Sequence, residues 1–147
     1  MYEAPIGKTM KILVVHRQHV TVDFIKLVLR GCNPVVLYAE SGLDGLLTSR
    51  IEHFDVIICG TNLPVVTGFE LVRSIRNNSV NHDTPVIFLY DDGQEEEKIK
   101  QLSKSLGAVF MLATDEIEYR LADVVAENVA TPCDKVWSAL QTKAVKE

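Results

Sequence analysis

Four short apolar runs in this 147-residue chain end on polar residues, and those endings hold most of the groups able to do chemistry. Lys11–Val15 leads into His16 and Arg17, Asp55–Cys59 into Gly60 and Thr61, Pro85–Tyr90 into Asp91 and Asp92, and Ala108–Leu112 into Ala113, Thr114 and Asp115. Arg17 is a permanent cation able to select an anion. His16 ordinarily titrates near neutral pH and could serve as a switch. Asp91 with Asp92 offers oxygen ligands of the kind a hard divalent cation takes. Each group also has a plainer reading, and the plainer readings are preferred. Arg17 can pair with Asp91, Asp92 or Asp115, His16 can be partly exposed and uninvolved, and Asp92 can cap the helix that follows it. No metal site and no cofactor are expected.

These groups must be positioned by regular elements, and the sequence punctuates those elements clearly. Lys11–Val15 reads as a strand rich in β-branched residues, followed by an apolar-periodic helix from Val22 to Arg30 with Thr21 as its cap. Val35–Tyr38 is a second strand. Ser41 and Asp44 make a box-like entry to a helix ending near Glu52. Asp55–Cys59 is apolar on every position but its first, as a parallel strand buried on both faces requires, and a helix over Phe69–Arg76 follows. Pro85–Tyr90 repeats the buried-strand signal, Asp92 and Glu95 open a helix to Leu106, and Gly107 ends it. Ala108–Leu112 is the fifth strand and Glu116–Asn128 the fifth helix. Thr131 and Pro132 then suit the cap and first position of one more helix, with Val136, Trp137, Leu140 and Ala144 as its apolar stripe.

Five strands alternating with helices imply right-handed crossovers and a doubly wound five-stranded parallel sheet of the flavodoxin-like α/β class, in order 2-1-3-4-5. Residues 1–9 are then an N-terminal extension, 10–128 the domain, and 129–147 a hinge at Ala130–Cys133 with an additional C-terminal helix. In such sheets functional groups collect at the C-terminal ends of the strands.

The segment FDVIICGTNLPVVTGFELVRSIR carries a resemblance. It resembles the receiver domain of bacterial two-component response regulators, in which a buried strand ends in a phospho-accepting aspartate followed by a short loop, a proline and a glycine. Asn62, Leu63, Pro64 and Gly68 supply the loop here, and the resemblance extends over residues 10–128. At the chemical positions the sequence departs from the family pattern. Gly60 stands at the acceptor position, His16 and Arg17 replace the paired acidic residues that bind Mg²⁺, Tyr90 replaces a small hydroxyl residue, and Thr114 (Ala113 under a shorter loop) replaces the lysine. Asp115 stands where the family has proline. Phosphoryl transfer depends on positioning and compensating charge, so these losses together imply a pseudo-receiver whose scaffold is kept for binding. Asp55 does not substitute for the acceptor, because it lies about five residues, roughly 16 Å, from the chemical edge.

The resemblance further implies a partner surface built from the fourth helix, fifth strand and fifth helix. Lys98, Gln101, Lys104, Val109, Met111, Tyr119 and Val124 mark it, with Met111, or Phe110 under the shifted alignment, at the family's aromatic switch position. Trp137 and Leu140 add a second candidate surface, on a helix that either packs on the domain or mediates dimerisation. The expected role is a phosphorylation-independent regulatory module, not an enzyme, that binds another signalling protein or itself. Two other classes compete. One is a small-anion or nucleotide sensor in the vacated crevice, with Arg17, His16, Thr61 and Thr114 as its pocket. The other is a flavodoxin-like electron carrier, disfavoured because His16, Arg17, Gln18 and His19 stand where a phosphate-binding loop would be.

A net charge of −5 argues against a direct nucleic-acid partner, since such affinity rests on clustered Lys and Arg. No stretch has the length and apolarity of a signal or membrane segment, so a cytoplasmic protein without a membrane partner is expected. The residues after Thr131 are too few for a helix-turn-helix output domain. Cys32, Cys59 and Cys133 form an odd set without C-x-x-C spacing, so the thiols are expected to be reduced. Cys59 reads as a small strand hydrophobe, and Cys133 in the hinge as the thiol better placed to react.

Overall fold

The structure, a computed structural model, describes residues 9–77, 79–91, 96–107 and 109–128. Most of the N-terminal extension, the Asp92–Glu95 cap, the hinge with Cys133, and the C-terminal helix with Trp137 and Leu140 lie outside the described residues.

Strand β1 (Lys11–Val15) is followed by helix α1 (His19–Val28) and a short 3₁₀ turn at Arg30–Cys32. Then come β2 (Val35–Ala39), α2 (Gly42–Ile51), β3 (Val56–Gly60), α3 (Gly68–Asn77), β4 (Val86–Tyr90), α4 (Glu96–Lys104), β5 (Val109–Ala113) and α5 (Ile117–Asn128). The five strands are all parallel, in the order β2-β1-β3-β4-β5. The apolar runs make this arrangement necessary, because strands covered on both faces alternate their side chains between two cores. Ile12, Val14, Val56, Ile58, Ile87, Leu89 and Leu112 meet α1 and α5 on one side. Leu13, Val15, Ile57, Cys59, Val86 and Phe88 meet α3 and the underside of α2 on the other.

Several local details differ from the sequence expectation. Gln18 rather than Thr21 is the N-cap of α1, its backbone extended, while Thr21 is buried inside the first turn. The Ser41 hydroxyl does cap α2, accepting the Asp44 N–H at 3.2 Å. Gly107, with φ +63°, stands after α4 in the left-handed conformation that a helix exit favours. Strands β3 and β5 start and end one residue later than read, which leaves Gly60 as the last residue of β3 and Thr114 as the first after β5. The expectation of reduced thiols is corrected at one position: Cys32 is disulfide-bonded, whereas Cys59 is free and buried.

The end of the sheet where the strands begin is held by buried polar side chains. Asn81, fully buried, accepts the Phe54 N–H at 2.8 Å and donates to the Ser49 and Glu52 carbonyls at 2.7 and 2.8 Å. Thr84 donates to the same Asn81 oxygen at 3.0 Å. Arg76 donates to four carbonyls, Leu106 at 2.7 Å, Gly107 at 3.1 Å, and Asn81 and His82 each at 3.2 Å. Asp55 accepts the Lys11 N–H at 2.8 Å, at the opposite end of the sheet from the residues with chemical potential.

Candidate functional site at the strand ends

At the C-terminal edge of the sheet, β1 and β3 place His16 and Gly60 side by side. The His16 N–H continues the sheet by donating to the Ala39 carbonyl at 3.1 Å, so the ring is anchored by its own backbone. Its Nδ1 accepts the Gln18 N–H at 3.0 Å, which puts the proton of the neutral imidazole on Nε2. The ring is buried, at 7% exposure. Burial pulls the His16 pKa below its ordinary 6.5, against the opposing pull of the Asp91 carboxylate. At neutral pH the ring is therefore mainly uncharged.

The His16 ring lies over the space where a side chain at position 60 would begin. A Cβ built on Gly60 would sit 3.0 Å from His16 Cδ2 and 3.5 Å from Nε2. Gly68 answers a different close approach, since a Cβ there would collide with the Gly60 carbonyl oxygen. The loop between these glycines is held by Gly68 N–H to the Thr61 carbonyl at 3.4 Å and by a reciprocal pair between Thr67 and Glu70 at 3.0 and 3.2 Å. Thr67 holds the exposed Glu70 carboxyl below its ordinary range by donating both backbone and side-chain hydrogen bonds to it. Val65, at the tip, has φ +66° and is almost wholly exposed. A β-branched residue rarely adopts that conformation, so strain is concentrated beside the crevice.

The crevice is lined by His16, Arg17, Gln18, Gly60, Asn62, Leu89 and Asp91, and holds about 60 Å³. That is room for a few waters or a small ion, far below the several hundred Å³ of ordinary ligand pockets. Of the residues read as an anion pocket, His16 and Arg17 line it. Thr61 is buried with its hydroxyl 3.4 Å from the Leu89 carbonyl, and Thr114 lies 2.8 Å from Asp91 Oδ1 and 3.1 Å from the Tyr90 carbonyl. Asp91, facing the same space, sets a negative charge against any anion that Arg17 attracts. Among the described residues, Arg17 has no ion-pair partner.

The second candidate surface is partly assembled. Lys98, Gln101 and Lys104 are exposed on α4, Tyr119 is 66% exposed on α5, and Met111 is half-buried on β5. Val124 is not available there: it is buried against Leu121 and Val125 in the core shared by α1 and α5. The spacing of Ile117, Leu121, Val124 and Val125 on one helical face was the signal for this. Phe110 on the edge strand β5 is 36% exposed and adds aromatic surface to that of Tyr119. Asp91 lines the crevice at the edge where the sequence put it, whereas Gln18 was missed as a lining residue because it is not a typical N-cap.

Among the described residues, no three His, Cys, Asp or Glu side chains are grouped to hold a metal ion, and no helix is long and apolar enough to cross a membrane. The described side chains lining the crevice offer one carboxylate (Asp91), two amides (Gln18, Asn62), a buried imidazole whose Nδ1 is engaged, and a guanidinium. A single carboxylate beside a guanidinium is a poor match for a hard divalent cation.

Comparison with known proteins places the chain. The family model described as response regulator receiver domain matches residues 12–125. The transcriptional regulatory protein CusR of Escherichia coli (strain K12) is 33% identical over 99 residues, which are 67% of this chain and 42% of that protein. The cell cycle transcriptional regulator CtrA of Caulobacter vibrioides (strain NA1000 / CB15N) is 26% identical over 91 residues, 62% of this chain and 38% of that one. The matched region thus spans about two fifths of these regulators' length. Among solved structures, chemotaxis protein CheY4 of Vibrio cholerae superposes with a TM-score of 0.73 at 29% identity, covering 82% of this chain and 99% of that chain. The receiver domain of sensor histidine kinase PA1611 from Pseudomonas aeruginosa PAO1, described with a magnesium ion coordinated in its active-site cleft, shares the fold with a TM-score of 0.73 at 20% identity, covering 84% and 99%.

Proposed function

We propose that this chain, which belongs to the response regulator receiver domain family, is a pseudo-receiver: a regulatory interaction module of two-component signalling that does not accept a phosphoryl group. The observation that carries this reading is the His16 ring standing over Gly60. Position 60 has no oxygen to be phosphorylated, and the space its side chain would use begins 3.0 Å from an imidazole carbon. The edge that would gather a divalent cation instead carries His16 and Arg17, and Thr114 answers Asp91 with a hydroxyl where a lysine cation would compensate transferred charge.

No enzymatic activity is proposed, because nucleophile, metal ligands and compensating cation are replaced together. The partner is another signalling protein or a second copy of the chain, met through the α4-β5-α5 face with Lys98, Gln101, Lys104, Phe110 and Tyr119 exposed. CusR and CtrA are named as transcriptional regulators. For this chain a protein partner is the reading, since its net charge of −5 opposes direct phosphate-backbone binding. We place it in the cytoplasm, where two-component receivers meet their partners. A nucleotide or flavin is disfavoured by a crevice of about 60 Å³, and a small anion by Asp91.

Incubation of the intact chain with acetyl phosphate and Mg²⁺, followed by intact-mass measurement, tests the proposal. The expected spectrum shows the unmodified mass alone. A stoichiometric phosphoryl adduct mapped to Asp91, Asp92 or His16 would contradict it.

A further inference from the structure

We propose that the outward face of α2 is the seam of a symmetric dimer, in which Leu43, Leu47 and Ile51 pack antiparallel against the same stripe of a second copy of this chain. Helix α2 is inverted relative to an ordinary surface helix. Its buried residues are Gly42, Gly45 and Ser49, which carry little or no side chain, while Leu43, Leu47 and Ile51 are 55%, 50% and 79% exposed. The inner face has no room for anything larger. A Cβ at Gly45 would sit 2.8 Å from the Val15 side chain, and one at Gly42 would collide with the Val66 carbonyl oxygen. Spaced four residues apart, the three exposed residues lie within about 80° of arc on a helix of 3.6 residues per turn, opposite the glycines. A helix apolar on both faces is ordinarily one that is covered on both.

The pattern of this face selects a second copy as its cover. A two-fold interface must be self-complementary, so that each residue meets the same counterpart from either side. Read outward from Leu47, the stripe is symmetric: Leu43 and Ile51 stand four residues to either side, and Asp44 and Arg50, both exposed, three residues to either side. Where two antiparallel copies cross at Leu47, Leu43 meets the partner's Ile51, and Arg50 comes level with the partner's Asp44. Opposite rather than like charges therefore share each level of the seam. The ends of the helix match as well. Val65, 97% exposed, adjoins Val66, whose carbonyl abuts Gly42 at the start of α2, and Val80, 52% exposed, shares a groove with Arg50 near its end. These two valines belong to the segments just before and just after α3, on one side of α2, so the reversal brings Val65 of one copy toward the partner's Val80. The strained Val65 backbone, φ +66° in a β-branched residue, thus falls where a contact between copies is made.

The seam is short, since ten helical residues span about 15 Å. It belongs with interfaces below about 1,200 Å², which are weak and transient. Dimer and monomer should exchange on dilution. Pairing here also leaves the far edge of the molecule open, because α2 packs on α3, β1 and β2, whereas β5 is the edge strand on the other side of the sheet. The dimer presents two α4-β5-α5 faces at once, which strengthens binding to a two-fold or clustered signalling partner without any new contact. The pairing does not depend on whether position 60 accepts a phosphoryl group.

Sedimentation equilibrium of the full chain over a dilution series tests the pairing, with backbone amide spectra recorded at the same concentrations. The expected result is a reversible monomer–dimer equilibrium whose concentration-dependent shifts centre on residues 43–51, Val65 and Val80. Leu47→Glu should weaken association at least about tenfold, since it sets two carboxylates against each other at the two-fold axis. The same variant should keep its urea midpoint, because that side chain already faces solvent in the single chain. Leu47→Met, which preserves the apolar surface, should still dimerise. A chain that stays monomeric at every concentration, as it would if the stripe served a different protein, would overturn the proposal. So would a dimer that survives Leu47→Glu, or one whose shifts fall on Lys98, Phe110 and Tyr119 instead. Neither result bears on the pseudo-receiver reading, because no phosphodonor or metal enters the measurement.

Discussion

The two ends of the parallel sheet are built on opposite plans. Where the strands begin, Asn81 and Arg76 bind backbone groups from four separate segments, and Asp55 ties the start of β1 to the start of β3. Where the strands end, described polar groups face a crevice of about 60 Å³, and a strained, exposed Val65 stands at the tip of the loop after β3. The first end spends its polar groups on fixing the scaffold. The second end directs polar groups to the crevice, and the buried imidazole of His16 fills space beside Gly60.

Substitutions can break that contrast from its strongest side first. Asn81→Ala removes the acceptor for Phe54 N–H and the donors to two carbonyls in a fully buried place. Each buried group left unpaired costs about 1–3 kcal/mol. Urea unfolding should therefore show a loss of roughly 3 kcal/mol or more at unchanged slope. A loss near zero would mean that this end is not the anchor. Arg76→Lys should cost about 1–2 kcal/mol, because an ammonium cannot reproduce a planar fork serving four carbonyls. Full stability in the Lys variant would show that charge alone suffices.

A smaller effect is expected at the crevice. Gly60→Ala should destabilise by about 1 kcal/mol through the contact with His16. In a His16→Ala background most of that cost should vanish, and a double-mutant cycle with no coupling would remove the His16 ring from the account. The smallest effect is the pH dependence. His16 binds its proton less well folded than unfolded, where its pKa is about 6.5. Stability should thus be unaffected by this group above pH 6.5 and should fall as pH drops from there through the lower folded pKa. His16→Gln should flatten that part of the stability profile, and an unchanged slope would assign it to other groups.

Much of this was legible in the sequence because it depends on local pattern. The apolar runs fixed the strands to within a residue, Ser41 and Asp44 marked the start of α2, and His16, Gly60 and Thr114 were legible as residues at the strand ends. What escaped was set by contacts distant in sequence. Asn81 and Arg76 sit in or beside a polar loop that looks solvated until Ser49, Phe54 and Leu106 are brought alongside. Val124 looked available because its helical face was not assigned to the core, although Leu121 and Val125 pointed there. The Cys32 disulfide left no spacing signal. The predicted strand order put His16 and Gly60 on neighbouring strands, but the 3.0 Å approach of the ring to position 60 depends on side-chain conformation and could not be read.

Backbone amide NMR of the full chain, titrated with Mg²⁺ and then with Mg²⁺ plus beryllofluoride, is the most direct test of the pseudo-receiver reading. The spectra should stay unchanged at both steps. Saturable shifts centred on His16, Gly60 and Asp91 would contradict the account and restore a switching metal and phosphoryl site to this edge.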